Sequence, residues 1–271
     1  MSRTAVVGLG LIGGSIALGT GARGFDADAA VRDRARRRGL DVADSLSEAL
    51  EGAELAVLAA PTSAIPALLA EAAALAPRAV LTDAASLKRP VAEAASRLPE
   101  GARCVGGHPM AGGRAPGIDG ADPELFRGRP WAIVPTARSD DGAIARVEDL
   151  ALSLGARPLR LEAGRHDRMM TWVSHLPLAA SAALARAASR GSGEDLAALA
   201  GPGIGDATRL AATPEPLALE LALADPDALA SALDALAAEL SQIGAALRGR
   251  DADALGALLR DAAAARRSFE S

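Results

Sequence analysis

The amino-terminal residues 4–15 read TAVVGLGLIGGS. Their apolar start predicts a short buried strand, their apolar end continues at helical spacing, and the glycines between form the pattern G-x-G-x-x-G. This context is that of a dinucleotide-binding turn, in which Gly8 makes the turn, Gly10 admits a pyrophosphate and Gly13 lets the helix pack closely. The helix amino terminus offers N–H donors to the phosphates. The residues predicted to bind the dinucleotide here are Gly8, Gly10, Leu11, Ile12 and Gly13.

An acidic side chain at the end of the second strand of such a fold binds the ribose hydroxyls of NAD. Residues 29–32 are predicted as that strand, which places Asp33 at its end. Arg34 and the arginines around it could instead bind the 2′-phosphate of NADP, or form a solvated helix face. We therefore expect NAD as the cofactor, with NADP as the alternative.

Apolar runs alternate with helical patterns up to about residue 161, and the pattern then becomes helical to the end of the chain. The further predicted strands are 55–60, 79–83, 103–105, 131–135 and 157–161. This alternation is typical of a Rossmann-type α/β fold with a doubly wound, mostly parallel sheet. We predict this domain for residues 1–164 and an all-α domain for residues 165–271.

Polar residues follow several of these strands, where the carboxyl edge of a parallel sheet binds ligands. Pro61 and Thr62 follow the strand at 55–60, and Asp83 ends the strand at 79–83; we expect all three to contact the cofactor. Ser86 comes shortly after Asp83. It is a candidate for the site together with the nearby Lys88; the alternative is that Ser86 caps a helix and Lys88 lies on the surface.

His108 stands in the segment VGGHPMAG, residues 105–112, directly after the strand predicted at 103–105. The glycines before it permit unusual dihedral angles or the close approach of a ligand, and the proline after it fixes the direction of the chain. The segment alone fits a catalytic loop and a structural loop equally well. Its position at the carboxyl edge of the predicted sheet favours the catalytic interpretation.

The composition excludes several classes of protein. A net charge of −5 argues against a non-specific nucleic-acid binder. The single cysteine, Cys104, excludes an internal disulfide framework and a multi-cysteine metal site. The uncharged runs are glycine-rich or barely long enough to span a bilayer, so we expect a cytoplasmic protein without membrane contact.

The helical half carries an apolar stripe typical of a packed helix. Its members recur at spacings of three and four and are Leu229, Leu233, Leu236, Leu240, Ile243 and Leu247. A half this rich in alanine can pack closely against a second copy, so we expect a homodimer through residues 165–271.

Several motifs occur in a fixed order along the chain. They are GLGLIGGS at 8–15, DAASLK at 83–88, GGHPMAG at 106–112, HD at 166–167, SHLP at 174–177 and GDATR at 205–209. Together they resemble the prephenate/arogenate dehydrogenase family of tyrosine biosynthesis, over about residues 4–250. We expect no appended tyrosine-binding regulatory module, because none fits after residue 271.

The resemblance implies oxidative decarboxylation of a cyclohexadienol. Hydride leaves C4 of the ring for the nicotinamide, the C4 hydroxyl loses its proton, and the ring carboxylate departs as CO2. His108 matches the family's catalytic histidine, which takes the hydroxyl proton, and Ser86 matches the serine that binds the same hydroxyl. A neutral histidine has a pKa suited to this step near neutral pH.

The resemblance also implies residues that bind the anionic substrate. Arg209 matches the family's substrate-binding arginine, whose guanidinium would hold a carboxylate. Asp206 would share a helix face with Arg209 and orient it. Ser174 and His175 match as well, with a helix kink before Pro177 and a buried structural histidine as the alternative.

The chain departs from the family pattern at Leu178, at Gly113-Arg114 and at Ala218. Leu178 stands where the family often has a second histidine, and Ala218 where a tryptophan is frequent. Arg114 replaces an acidic residue and adds positive charge, which favours the keto acid prephenate over arogenate, whose side chain bears an ammonium group. Arogenate and a 4-amino analogue of prephenate stay open as alternatives.

Two other functions are compatible with this two-domain organisation. A β-hydroxyacid dehydrogenase typically relies on a lysine in its helical half, and residues 165–271 contain no lysine. A catalytically silent NAD-binding dimer is the second alternative, because fold alone does not fix function. The joint presence of Ser86, His108 and Arg209 argues against it.

Overall fold

A computed structural model describes residues 3–113, 115–191 and 196–269 of the chain. It divides into two compact units, of which the first ends at Asp167 and the second begins at Arg168. The division falls within the helix Ala163–Met170, which also contains the predicted boundary at Gly164. Arg114, a predicted substrate contact, lies outside the described residues.

Over the residues described, the first unit is built on a sheet of seven strands. These are β1 Thr4–Val7, β2 Arg23–Phe25, β3 Leu55–Leu58, β4 Val80–Asp83, β5 Arg103–Pro109, β6 Pro130–Pro135 and β7 Arg157–Arg160. Their order across the sheet is β2-β1-β3-β4-β5-β6-β7. β1 to β5 run parallel, β6 is antiparallel to β5, and β7 is parallel to β6. The predicted mostly parallel sheet is confirmed.

The helices that cover the two faces of this sheet are α1 Leu11–Thr20, α2 Ala29–Arg37, α3 Leu46–Leu50, α4 Ile65–Leu75, α5 Arg89–Ser96 and α6 Asp141–Ser153. The helix α7 Ala163–Met170 follows β7 and continues past Asp167 into the second unit. Side chains alternate between the faces of a strand, so Val6 of β1 enters the core with α1, α2 and α6. Its neighbours Ala5 and Val7 enter the core with α3, α4 and α5. Each face therefore has its own apolar core.

The strand predicted at residues 29–32 is wrong, because these residues begin α2. The Asp28 side chain caps this helix by accepting from the backbone N–H of Ala30 at 2.8 Å. The second strand is the three-residue β2, which ends at Phe25. Asp33 consequently lies exposed on α2, 3.3 Å from the guanidinium of Arg36, rather than at the end of a strand.

The second unit is helical where it is described, as predicted. A π-helical turn, Thr171–His175, follows α7. The further elements are α8 Leu176–Gly191, α9 Leu196–Leu199, α10 Pro202–Ala207, a 3₁₀ turn Arg209–Ala212, α11 Glu215–Ala222, α12 Pro226–Gly249 and α13 Ala252–Ser268. α12 packs against α8, the π turn and α13. No described helix combines the length and the apolar character that crossing a membrane requires.

The predicted apolar stripe lies on α12, and its burial changes along the helix. Leu229 is buried, Leu233, Leu236 and Ile243 are half-buried, and Leu240 and Leu247 are exposed. The stripe therefore contributes to the core of the second unit at one end and forms apolar surface at the other.

Candidate active site

The glycine turn between β1 and α1 has the close packing that the pattern predicts. Gly8 has a φ of +93°, and a Cβ there would lie 2.3 Å from the Ala59 carbonyl oxygen. A Cβ at Gly13 would lie 1.8 Å from the carbonyl oxygen of Gly8. Neither position has room for a side chain, so the chain can turn this sharply only with glycine.

Gly10 caps the amino terminus of α1 and serves a different purpose. A Cβ there would meet open space, and no side chain caps the helix. Open space in front of unsatisfied N–H groups is the arrangement that binds a phosphate. The turn therefore fits the pyrophosphate of a dinucleotide cofactor, which would lie against Gly10 and the start of α1.

Asp26 occupies the position that the sequence analysis assigned to Asp33. It follows β2 directly and is half-buried beside the glycine turn. Its Oδ2 accepts from the backbone N–H of Leu9 at 2.8 Å, and its Oδ1 accepts from that of Asp28 at 2.9 Å. Recognition of Asp28 as a helix cap would have ended the second strand before Asp26 and identified this carboxylate from the sequence.

Other predicted cofactor contacts occupy separate positions. Arg34 is half-buried on α2, with its Nε 3.9 Å from an Asp119 carboxylate oxygen. Pro61 is exposed after β3, and Thr62 is buried at the start of a 3₁₀ turn, Thr62–Ala64. Contact between these residues and the cofactor stays a prediction.

The predicted cofactor contact of Asp83 is wrong, because its side chain is fully buried. Its carboxylate forms an ion pair with Lys88 Nζ, and accepts from the backbone N–H of Gly107 at 3.1 Å and of Ala85 at 2.9 Å. Lys88 is also fully buried, which excludes the alternative of a surface position, and it donates to the Gly107 carbonyl oxygen at 2.6 Å. A buried pair with such partners links β4 to β5 directly before His108.

Gly107 explains how β5 approaches β4 so closely. A Cβ at Gly107 would lie 2.5 Å from the Asp83 carbonyl oxygen and 3.2 Å from Trp131 Nε1. Because Gly107 has no side chain, the backbone of Asp83 and the side chain of Trp131 can approach it closely. β5 also continues past Val105, where the predicted strand ended, and pairs His108 with Ala132 of β6. His108 thus projects from a strand that is paired with β6 at this point, rather than from a loop.

The structure connects His108 to two residues that the sequence analysis left without a role. Nδ1 of His108 is 2.9 Å from Nε2 of His166, and Nδ1 of His166 is 2.7 Å from Oδ1 of Asp167. His166 is fully buried, and His108 is half-buried. The pair His166-Asp167 was visible in the sequence as part of a motif, but nothing local indicated that it is hydrogen-bonded to His108.

Asp167 also anchors the segment that contains Ser86. Its carboxylate accepts from the backbone N–H groups of Lys88 at 2.8 Å and Arg89 at 2.9 Å, at the amino terminus of α5. Burial would raise the pKa of Asp167, but hydrogen bonds from His166 and these two N–H groups outweigh it and lower that pKa. Asp167 is therefore ionised near neutral pH.

Ser86 is half-buried in the loop between β4 and α5. Asp83 holds one end of this loop through Ala85, and Asp167 holds the other end through Lys88. Lys88 occupies the cap position of α5, with no side-chain capping bond, so Ser86 does not act as the helix cap. Binding of substrate by Ser86 stays a prediction.

In the second unit, the π turn contains Ser174 and His175. Ser174 is half-buried and His175 is buried. Pro177 lacks an N–H and would clash with a carbonyl one turn earlier in a regular helix, and the wider π turn provides the necessary room. Substrate contacts of Ser174 and His175 stay predictions.

Arg209 begins the 3₁₀ turn that packs on α8, and its side chain is exposed. The Ser181 hydroxyl of α8 accepts from the backbone N–H of Ala211 at 3.0 Å and holds this turn in place. Asp206 lies in the last turn of α10, which ends before Arg209. Among the described residues these two side chains form no ion pair, so the predicted orienting contact of Asp206 is wrong.

The sheet, the glycine turn and the histidine on β5 define an oxidoreductase that uses a nicotinamide cofactor. Residues 19–159 match the model of the prephenate dehydrogenase nucleotide-binding domain, and residues 162–261 match that of the prephenate dehydrogenase dimerization domain. The chain therefore belongs to the prephenate dehydrogenase family.

Three known proteins show the range of this similarity. Cyclohexadienyl dehydrogenase of Zymomonas mobilis is 31% identical over 264 residues, which cover 93% of this chain and 90% of that protein. Synechocystis arogenate dehydrogenase is 31% identical with a TM-score of 0.79, and the match covers 98% and 99% of the two chains. Prephenate dehydrogenase from A. aeolicus, solved with hydroxyphenyl propionate and NAD+, has the same fold, with a TM-score of 0.87, 23% identity and coverage of 99% and 98%.

Proposed function

We propose that the protein catalyses the NAD-dependent oxidative decarboxylation of prephenate to 4-hydroxyphenylpyruvate. The observation that carries this proposal is the position of His108 on β5, where its Nδ1 is hydrogen-bonded to Nε2 of His166. Asp167, the neighbour of His166, also holds the loop that contains Ser86. Bound NAD would supply the hydride acceptor. The ring carboxylate leaves as CO2, its bonding electrons complete the aromatic ring, and the oxygen at C4 takes its proton back from protonated His108 to give the phenol.

In this proposal His108 takes the proton of the substrate's C4 hydroxyl while hydride leaves C4. Transfer of this proton lets the oxygen electrons assist the departure of hydride, which is the function of a general base. Ser86 would donate a hydrogen bond to the same oxygen. A base on a strand paired with β6, whose Nδ1 is also hydrogen-bonded to His166, keeps its orientation, which such proton transfer requires.

Arg209 supports binding of a dicarboxylate. Its guanidinium is exposed on a turn fixed to α8, and a guanidinium binds a carboxylate through two parallel hydrogen bonds. Arg114 follows the His-Pro motif in the sequence and adds positive charge. This charge supports prephenate over arogenate, because the ammonium group of arogenate would be repelled.

Asp26 supports NAD over NADP. It directly follows β2 beside the glycine turn, where a carboxylate accepts hydrogen bonds from the ribose hydroxyls of NAD. The 2′-phosphate of NADP would bring negative charge to the same place, and two anions repel each other. The carboxylate is oriented by the N–H groups of Leu9 and Asp28, so it cannot simply turn away.

We also propose that the protein is a homodimer through its helical unit. Large apolar side chains of this unit are exposed, among them Leu223 at 66%, Leu240 at 60% and Leu247 at 58%. Exposed apolar surface of this kind marks association sites. Leu240→Asp should shift the mass measured by light scattering from dimer to monomer, whereas Leu75→Asp on the exposed side of α4 should leave it unchanged.

An assay of cofactor against substrate tests the activity. Prephenate and arogenate are each supplied with NAD and with NADP, and reduced nicotinamide is followed by absorbance. The proposal expects the highest kcat/KM for prephenate with NAD. Faster turnover of arogenate would replace the substrate assignment, and turnover of neither would reject the proposed activity.

A further inference from the structure

The hydrogen bonds behind His108 determine where its proton lies. Asp167 is ionised near neutral pH, and an ionised carboxylate can only accept hydrogen bonds. Nδ1 of His166, at 2.7 Å from Asp167, must therefore donate. A neutral imidazole donates from one nitrogen and accepts at the other, so Nε2 of His166 accepts. Its donor, at 2.9 Å, is Nδ1–H of His108.

We propose that His166 and Asp167 are positioning residues that hold His108 in the tautomer whose Nε2 accepts a proton. In this tautomer the proton of His108 is on Nδ1 and the lone pair is on Nε2. The opposite tautomer presents an N–H to the substrate hydroxyl and cannot act as a base. The inference rests on the proposed function, in which His108 is that base.

The same chain of hydrogen bonds acts during the proton transfer. The O–H bond of the substrate breaks, an N–H bond forms at Nε2 of His108, and the ring becomes an imidazolium. Its Nδ1–H continues to donate to His166, and the nearby negative charge of Asp167 stabilises the new positive charge. This step needs no further reactant, because it is a proton transfer in which none of the three side chains is oxidised or reduced.

Other charges near His108 compensate each other. Lys88 Nζ and the Asp83 carboxylate form a fully buried pair beside Gly107, and both are also hydrogen-bonded to its backbone. Arg89, next to Asp167, contributes a backbone N–H to the carboxylate, and its side chain is exposed. Asp167 is the ionised group that is hydrogen-bonded to His166.

Nuclear magnetic resonance of the imidazole nitrogens tests this directly and needs no substrate. The chain has three histidines, so ¹⁵N-histidine labelling gives three ring systems that single substitutions can assign. We expect neutral His108 to carry its proton on Nδ1, and Asp167→Asn to move a measurable fraction of it to Nε2. A wild-type His108 with its proton on Nε2 would overturn the proposal, whatever the enzyme oxidises.

Kinetics provide the second test. His166→Leu removes the acceptor for His108 Nδ1–H, whereas His166→Gln retains one in its side-chain carbonyl. We expect kcat to fall on the order of 100-fold in the leucine variant, within the range of a general base. The acid limb of the kcat/KM profile should move to lower pH, because the acceptor favours protonated His108. The glutamine variant should recover part of the lost kcat and part of the shift of the acid limb, with the KM for NAD unchanged.

Arg165→Ala is the matched control, because Arg165 is exposed on α7 next to His166. It should retain wild-type kcat and pH profile. A folded His166→Leu protein with an unchanged acid limb would refute the positioning role while prephenate oxidation by the wild type still stood. If the wild type oxidised neither prephenate nor arogenate, the proposed function would fail, and the nitrogen spectra would still decide the tautomer.

Discussion

The glycine turn after β1 and the strand edge that holds His108 are both predicted parts of one site, yet they are built differently. The turn depends on backbone geometry, because a Cβ at Gly8 or Gly13 would overlap a carbonyl oxygen. The strand edge depends on buried side chains, with His166 located 58 residues along the chain from His108. A local sequence pattern therefore identifies the turn fully, whereas the folded chain is needed to identify the partners of His108.

The largest effect is expected at the strand edge. His108→Asn removes the group that accepts the hydroxyl proton, so kcat should fall by about 10²–10⁴-fold. The glycine turn is untouched, so the dissociation constant for NAD, measured by calorimetry, should stay the same. Loss of both turnover and NAD binding would mean that the two regions are not separable.

Removal of one member of the buried pair should destabilise the same edge. Lys88→Met leaves the Asp83 carboxylate buried without its cation, and the free energy of unfolding should fall by about 3–5 kcal/mol. Replacement of both, as Asp83→Leu with Lys88→Met, should recover most of this loss in urea unfolding. If the single variant were as stable as the wild type, the pair would not hold β4 to β5.

The glycine turn should respond to the position of an added Cβ. Gly13→Ala forces overlap with the Gly8 carbonyl oxygen, and we expect a loss of about 1–3 kcal/mol of stability. Gly10→Ala is the control, because its Cβ meets open space; it should retain stability but bind NAD more weakly. Equal destabilisation by both substitutions would contradict the different purposes of these glycines.

A smaller change, in the preference for NAD over NADP, is expected when the carboxylate after β2 is replaced. Asp26→Ser removes the carboxylate proposed to bind the ribose, and the kcat/KM ratio for NAD over NADP should fall about tenfold, as loss of one charged hydrogen bond would produce. Asp33→Ser, on the exposed side of α2, should leave that ratio unchanged. A larger effect at Asp33 would restore the original sequence assignment.

The smallest effect is expected in the free energy of unfolding, which should depend on pH through Asp167. Its folded-state pKa is lowered, so the stabilisation that it provides is present above the unfolded pKa, about 4. That stabilisation should be lost as the pH falls through the folded pKa. Urea unfolding of wild type and Asp167→Asn should differ at pH 6 and converge in acid; a difference that is constant with pH would exclude an ionised Asp167.

The limits of prediction follow the same division between backbone and side-chain networks. The glycine turn, the mostly parallel sheet and His108 could be predicted because periodicity and glycine spacing are local. β2 was missed because three residues, Arg23 to Phe25, are too short to show a strand period. The fully buried Lys88 contradicts the usual surface position of lysine, and only its partners Asp83 and Gly107 explain it.

Asp83 shows why motif membership does not define a role. The sequence placed it at the carboxyl edge of the sheet, and it lies there, but its carboxylate points into the protein and binds Lys88. Asp26 was overlooked because the strand before it was misplaced. The error at Asp83 concerned the direction of its side chain, which spacing does not reveal, whereas the error at Asp26 was local, because the helix cap Asp28 was not recognised.

The central claim is that this chain oxidises prephenate with NAD and that His108 takes the proton. Its most direct test is simultaneous measurement of NADH and CO2 formed from prephenate by the wild type and by His108→Asn. We expect one CO2 for each NADH in the wild type, and turnover at least about 100-fold slower in the variant. Absence of NADH formation by the wild type, or a variant as fast as the wild type, would contradict the claim.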